Sequence, residues 1–406
     1  MRTLSITVAA LFLLVATCAL RAEDWPQWRG PRGDGISHET GLADKWPEGG
    51  PKQVWSIKVG TGFSSPIAVE GKVYAFAVVG EQEVLYALDA ATGKTVWQQS
   101  FNAAWTSTYG GSRSTPTIEG NRIYTYGGQS DLICRELADG APVWHMNVLT
   151  EIGGTPPQWG EASSPLIDGD SLYVQGGFGT SAAVCIDKKT GKLIWKSEAQ
   201  EGSYTHPILI DPEGKKQLII FAKQAVVAMD PATGKTIWTQ PWKTEYDVNA
   251  TTPIYRDGHL FITSGYNRGC MMLDVTASTA TKAWENREIS ARFVAPVLDG
   301  DTLYGTTGND GILKAISWPD GKLKWKGGSD IKLGMGGAFV RVGDRLIGVS
   351  ERGKLLLIKA TPEGAEKISA VDHFVEGNQI WSTPLIYQGK LYLKGTEELV
   401  CADISK

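Results

Sequence analysis

The apolar and polar residues of this chain are arranged in short strands. After Pro66 the apolar run Ile67–Val69 meets a turn at Glu70-Gly71, and a second run, Val73–Val78, follows. A third run, Val84–Leu88, turns at Thr92-Gly93 into a fourth, Thr95–Gln98. Glycine supplies the positive φ that such turns need, and the neighbouring Asp or Thr side chain can hydrogen-bond the turn's own backbone. No unit of the chain shows an apolar period of 3.6, which excludes a solenoid of helical hairpins.

The four-strand unit repeats. Ala87–Trp97 reads A-L-D-A-A-T-G-K-T-V-W and returns as Ala228–Trp238, A-M-D-P-A-T-G-K-T-I-W. It returns again as Cys185–Trp195 and, more loosely, as Ala315–Trp325. The tryptophan marker falls at Trp55, Trp97, Trp144, Trp195, Trp238, Trp284 and Trp325. A strand-opening proline gives the phase at Pro66, Pro116, Pro165, Pro207, Pro253, Pro296 and Pro384, with a degraded copy at Ala338. A period of roughly 45 residues with four antiparallel strands per unit predicts an all-β, eight-bladed β-propeller. The phase also predicts the closure. The chain opens on a lone fourth strand, Val54–Val59, and ends on three strands, so the N-terminal strand completes the last blade and removes the open edges. The tryptophans are expected between neighbouring blades.

Length and composition bound the rest. The repeat reads the 406 residues as one large domain over 54–406, preceded by a non-repeating lead at 23–53 and a secretory signal peptide at 1–22. Arg2 precedes an apolar run from Leu4 to Leu20, and cleavage after Ala22 or Ala19 fits; Cys18 offers a lipid-anchored alternative. The protein is therefore expected to be exported, periplasmic or extracellular. A net charge of −4 without a basic stripe gives nucleic-acid binding no electrostatic support, and no membrane span is expected in the mature chain. Cys134, Cys185 and Cys401 occupy equivalent places in different units, too far apart for a disulfide, and read as small buried residues. Asp168-Gly169-Asp170 and Asp299-Gly300-Asp301 look like calcium-loop fragments, but they occupy the ordinary hairpin turn of the unit. In the lead, Trp25, Trp28, Arg29 and Asp34 read as a plug packed on the blades, with Arg29 paired to a carboxylate.

The unit A-x-D-x-x-T-G-K-x-x-W resembles the tryptophan-docking repeat of pyrroloquinoline quinone (PQQ) type propellers over about residues 54–403. Eight such blades are similar to the quinoprotein dehydrogenases and to BamB-like propeller lipoproteins of outer-membrane assembly. The lead D-W-P-Q-W-R-G-P resembles the opening of secreted, planctomycete-type PQQ-repeat proteins. For a dehydrogenase the resemblance implies PQQ on the propeller axis, a calcium ion, a catalytic Asp and a vicinal Cys-Cys disulfide. No two cysteines are adjacent here, and the long inserts of those enzymes are missing.

Other catalytic signatures are also lacking: G-x-S-x-G, H-E-x-x-H, a Walker loop and C-x-x-C do not occur. The candidate site is the ring of residues just before the Pro markers, at one mouth of the axial channel. Arg113, Glu161, His206, Asn249, Arg292 and Trp381 are the ligand-binding candidates there, beside Phe63 and Tyr204. Glu161 and Asn249 are the pair to consider for calcium. The two long connections, 98–115 and 145–164, carry Trp105, Tyr109 and Trp159, exposed aromatics of the kind that contact a protein or peptide partner. The expected function is an exported, monomeric, non-catalytic binding or assembly scaffold. The alternative is a PQQ- and calcium-dependent oxidoreductase with a reduced site. A third reading, a lyase or hydrolase acting on polysaccharide, needs a close carboxylate pair, and Glu161 has no obvious second member.

Overall fold

The computed structural model describes residues 23–198, 200–308 and 310–406; the expected signal peptide and Cys18 lie outside the described residues. The chain forms eight sheets in a ring, each with four consecutive antiparallel strands. In blade 1 these are Ile67–Val69, Lys72–Val79, Gln82–Asp89 and Thr95–Phe101, from the axis outward. Blades 2 to 7 follow in order. Blade 8 consists of Leu385–Tyr387, Lys390–Lys394 and Glu398–Asp403, and its outer strand is the N-terminal Lys52–Lys58. That strand starts two residues before the expected Val54. Its register sets Trp55 opposite Cys401 and Ile57 opposite Leu399. Lys394 reinforces the seam: its ammonium donates to the Gly60 and Gly62 carbonyls at 3.2 and 2.9 Å.

The repeat motif holds neighbouring blades together. Each marker indole crosses to the next blade and donates to a carbonyl in its outer turn. Trp55 donates to Ala90, Trp97 to Leu137, Trp144 to Lys188, Trp195 to Pro231, Trp284 to Pro319 and Trp325 to Thr361, at 2.6–3.2 Å. The indole lies flat on the glycine of that turn. A Cβ added to Gly93, Gly191, Gly234 or Gly321 would sit 2.5–2.6 Å from the ring of the preceding blade. These glycines also hold φ near +70°. The T-G-K turn therefore needs glycine twice, for its backbone and for its neighbour's tryptophan. Blade 5 lacks this glycine, and there Trp238 reaches the turn through a relay. It donates to the Gln217 side chain at 2.9 Å, and Gln217 donates to the Thr276 carbonyl at 2.9 Å. Small residues face most of the indoles across the sheet: Ala87, Cys185 and Cys401 pair with Trp97, Trp195 and Trp55, while Met272 pairs with Trp284. Cys134, Cys185, Cys270 and Cys401 are buried free thiols.

The lead is threaded through the ring. Trp25 exchanges backbone hydrogen bonds with Ala68 of blade 1, and the Pro26 carbonyl accepts from Ile118 of blade 2. Trp28 donates to the Thr252 hydroxyl of blade 5 at 3.0 Å. Arg29 is buried, and its guanidinium donates to the Ala295 and Pro296 carbonyls of blade 6 and to those of Gly33 and Asp34. Ile36–Ser37 adds a parallel fifth strand inside blade 7, and Glu39 accepts from the Gln388 and Gly389 amides of blade 8. The lead is a plug, but Arg29 binds backbone carbonyls where a carboxylate was expected. Four carbonyls take its donors, and burial lowers its pKa to about 10 against the smaller opposing effect of the nearby Asp34 charge. Trp46 is also buried, its amide bonded to the Ser369 hydroxyl of blade 7. It packs beside Ile368 and Ile404 in a core cluster that blades 7, 8 and 1 share. Blade 7 has no marker tryptophan of its own, and the lead fills that joint.

Gly234→Ala should cost about 3 kcal/mol, because it strains φ and drives a methyl into Trp195. Gly169→Ala, equally left-handed but with nothing within 4 Å, should cost only about 1 kcal/mol. Denaturant unfolding of the two variants checks the difference; equal losses would show that the indoles do not bear on these glycines.

Candidate functional site

The inner strands leave an axial channel, and the side chains before the Pro markers decide its shape. Strand alternation sends every second residue inward. Phe63, Arg113, Ala162, Tyr204, Ala250, Phe293 and Trp381 each stand three residues before the proline, and all line one cavity of about 490 Å3. His206, Ser164 and Thr252, one residue before theirs, line it deeper. Trp28 of the lead, held by Thr252, also borders the cavity, and the plug leaves it open at one mouth.

Of the candidate residues, Arg113, His206, Arg292 and Trp381 meet on this cavity with Tyr109 and Trp159, whereas Glu161, Asn249 and Trp105 do not line it. Glu161 and Asn249 stand four residues before their prolines and lie behind the wall, whereas Arg292, at the same offset, reaches the cavity. Asn249 is fully buried and spent: its amide donates to the Ala222 and Lys223 carbonyls, and its oxygen accepts from the Ser264 hydroxyl. Glu161 is fully buried 3.5 Å from the Ser130 hydroxyl, with its second oxygen unpartnered. Burial pushes its carboxyl up to about 8, so it is protonated at neutral pH. Trp105 packs on Gly128 and Gly160 and donates to the Thr108 carbonyl, anchoring its loop. Among the described residues no group of three or more His, Cys, Asp or Glu side chains is placed to hold a metal. The position three before each proline faces inward throughout, while the position four before it is divided between the cavity, at Arg292, and the space behind it, at Glu161 and Asn249.

The walls are aromatic. Trp381 is sandwiched between Phe63 at 4.3 Å and Phe293 at 4.4 Å, and Tyr109 bridges Trp381 and Trp159 at 5.6 and 5.8 Å. Tyr246 meets Tyr266 edge-on at 5.4 Å. Three of these rim residues, Tyr109, Tyr246 and Tyr266, hold φ between +56° and +62°, a region that bulky side chains avoid and that costs on the order of 1–3 kcal/mol each. Tyr109 and Tyr246 are 43% and 59% exposed, against a wholly buried core.

The charges in the cavity are cationic. Arg113 lies over Phe63, and its guanidinium donates to the carbonyls of Gly111 and Tyr109. Burial lowers its pKa to about 10, and it remains a cation at neutral pH. Arg292 lies 4.1 Å over Tyr266 and donates to the Met335 sulfur at 3.4 Å. No carboxylate lines the cavity. His206 donates from Nδ1 to the Ser164 carbonyl at 2.9 Å, given that burial holds the ring neutral, with its pKa down to about 4. Its other nitrogen is then an acceptor. These groups suit the carboxylates and ring of a quinone. They do not suit a calcium ion, because both proposed ligands point elsewhere.

The sequence matches the family described as outer membrane protein assembly factor BamB over residues 47–108 and 80–327, more than half of the chain. No curated protein matches. Among solved structures, BamB from Moraxella catarrhalis is similar, with TM-score 0.64 at 18% identity, covering 86% of this chain and 97% of that one. The computationally designed Ika8 protein gives 0.62 at 10% identity, covering 87% and 100%. The quinohemoprotein alcohol dehydrogenase from Comamonas testosteroni gives 0.54 at 12% identity, covering 94% and 81%. Likeness at these identities shows the shared fold. Among the described residues no helix is long and apolar enough to cross a membrane.

A protonated Glu161 has a pH signature. Its folded pKa lies above the ordinary value of 4.5, so its stabilising protonated state is lost as pH rises through about 8. Glu161→Gln keeps the neutral shape. It should match the wild type near pH 4.5 and become the more stable of the two at pH 8.5 in urea unfolding; a gap that does not grow with pH would place the ionised carboxylate in the fold.

Proposed function

We propose, from the premise that this chain belongs to the BamB family of PQQ-repeat propellers, that it is an exported, monomeric binding scaffold with a protein or peptide partner. The observation that carries this reading is the rim. The loops at 98–115 and 145–164 bring Tyr109 and Trp159 together beside Trp381. Tyr109 and Tyr246 stay exposed on backbones held in a strained conformation. Rigid exposed aromatics around a concave centre are the usual anchors of a protein interface. Trp105 supports that rim from behind.

The second reading is a PQQ- and calcium-dependent oxidoreductase. The two arginines and the aromatic walls favour the quinone half of it. The calcium half has no carboxylate on the cavity.

Two measurements separate the readings. Tyr109→Ser combined with Tyr246→Ser should weaken crosslinked capture of the native partner by at least about tenfold. Ile194→Ser, on an exposed outer strand 52% open to solvent, should leave it unchanged. Equal capture by all three proteins would remove the rim from the account. Reduction of a redox dye by an alcohol or sugar, after addition of PQQ and calcium, would instead establish the oxidoreductase.

A further inference from the structure

We infer that the axial cavity is a metal-independent receptor for a flat aromatic carboxylate, with Arg113 and Arg292 supplying the positive charge that a divalent ion would otherwise provide. The inference is independent of the scaffold reading, since a partner would engage the rim and a small ligand would occupy the cavity behind it.

The first observation is an uncompensated charge. Two guanidiniums face a cavity without a carboxylate, and their hydrogen bonds go to two carbonyls and a thioether. Both arginines are half-buried, and a cation partly withdrawn from water without a counter-charge carries a desolvation cost. An entering anion recovers that cost.

The second observation is a pair of idle donors. Arg292 Nε and the Tyr204 hydroxyl are both buried and have no hydrogen-bond partner among the described residues. Tyr204 is 6% exposed, borders the cavity, and lies within electrostatic reach of Arg113. Buried polar groups without partners are rare in native proteins. A carboxylate, whose oxygens only accept, can take hydrogen bonds from both groups.

The third observation fixes the body of the ligand. The walls are mainly aromatic, with Phe63, Phe293, Trp28 and Trp159 beside the polar side chains of Gln158, Ser164 and Thr252, and about 490 Å3 suits a small ring system. An inorganic anion would leave the aromatic volume unfilled. His206 Nε2 offers a single acceptor for a ring N–H or O–H.

The metal-free part follows from where the oxygen ligands are. Asn249 uses its amide to bind blade 4 to blade 5. Glu161 lies behind the wall, and burial keeps it protonated. A divalent ion in the cavity would meet two guanidiniums and no carboxylate, with only the neutral oxygens of Gln158, Ser164, Thr252 and the tyrosines to bind it.

Isothermal titration of the mature protein with naphthalene-2,6-dicarboxylate tests this, with PQQ as a second arm and the neutral isostere naphthalene-2,6-dimethanol as a third. Both carboxylates should bind one to one, with the same affinity in EDTA as in calcium. The diol should bind at least about tenfold more weakly, a difference of about 1.4 kcal/mol. Arg292→Gln and Arg113→Gln should each weaken carboxylate binding by at least about tenfold, with circular dichroism melts showing that both variants fold. Binding of PQQ alone would narrow the ligand to the quinone and still support the inference if EDTA has no effect. A requirement for calcium, equal binding of the diol, full binding by both arginine variants, or no binding of either carboxylate would each overturn it.

Discussion

The ring depends on one repeated contact: an indole that leaves the outer strand of one blade, lies on a glycine of the next, and donates to that turn's carbonyl. Sheets packed face to face have no intrinsic preference for a closed circle of eight. The indole supplies both spacing and direction, because its length sets the gap and its single N–H fixes which turn it reaches. Each one removes enough apolar surface from water to contribute on the order of 3 kcal/mol. The exceptions show the same constraint. Blade 5 lost the glycine, and Gln217 was inserted between Trp238 and the Thr276 carbonyl. Blade 7 lost the tryptophan, and the lead delivers Trp46 to that joint.

A closed ring leaves a hole on its axis, and the lead fills much of it. Its contacts run through blades 1, 2, 5, 6, 7 and 8, nearly all made with inner strands or the turns beside them. Arg29 gathers four carbonyls beside the channel, where the converging strands leave them without partners of their own. The residue before it, Trp28, meets the cavity from within. The same segment that stabilises the centre of the ring therefore also contributes to the wall of the cavity.

Fold and site were unequally legible in the sequence. Blade number, strand order and the closing strand follow from residues that repeat at fixed spacing, and each repeat is a local hairpin whose turn chemistry is written in adjacent residues. The lead was legible only as far as its aromatic content. Arg29 joins two carbonyls of its own turn, Gly33 and Asp34, to two of a distant segment, Ala295 and Pro296, and no local pattern encodes that meeting. At the mouth, Arg113, Arg292 and Trp381 line the cavity as their place before the prolines suggests, whereas Glu161 and Asn249 do not. No offset in the sequence separates these two from Arg292; packing between blades withdraws them, and Asn249 becomes a joint between blades 4 and 5. Trp105 and Tyr109 share a loop of similar composition; one anchors it and the other is exposed, a division that only packing decides.

The central claim is that the lead is an integral part of the ring and closes its axis at Trp28. Hydrogen exchange of the mature protein reads this directly, peptide by peptide, over residues 24–46. Protection of the Trp25 and Ala43 amides to the level of the blade strands beside them, together with slow exchange at Ile118 and Arg341, is the predicted result. Exchange across 24–46 at the rate of an exposed loop, with the blades still protected, would contradict it.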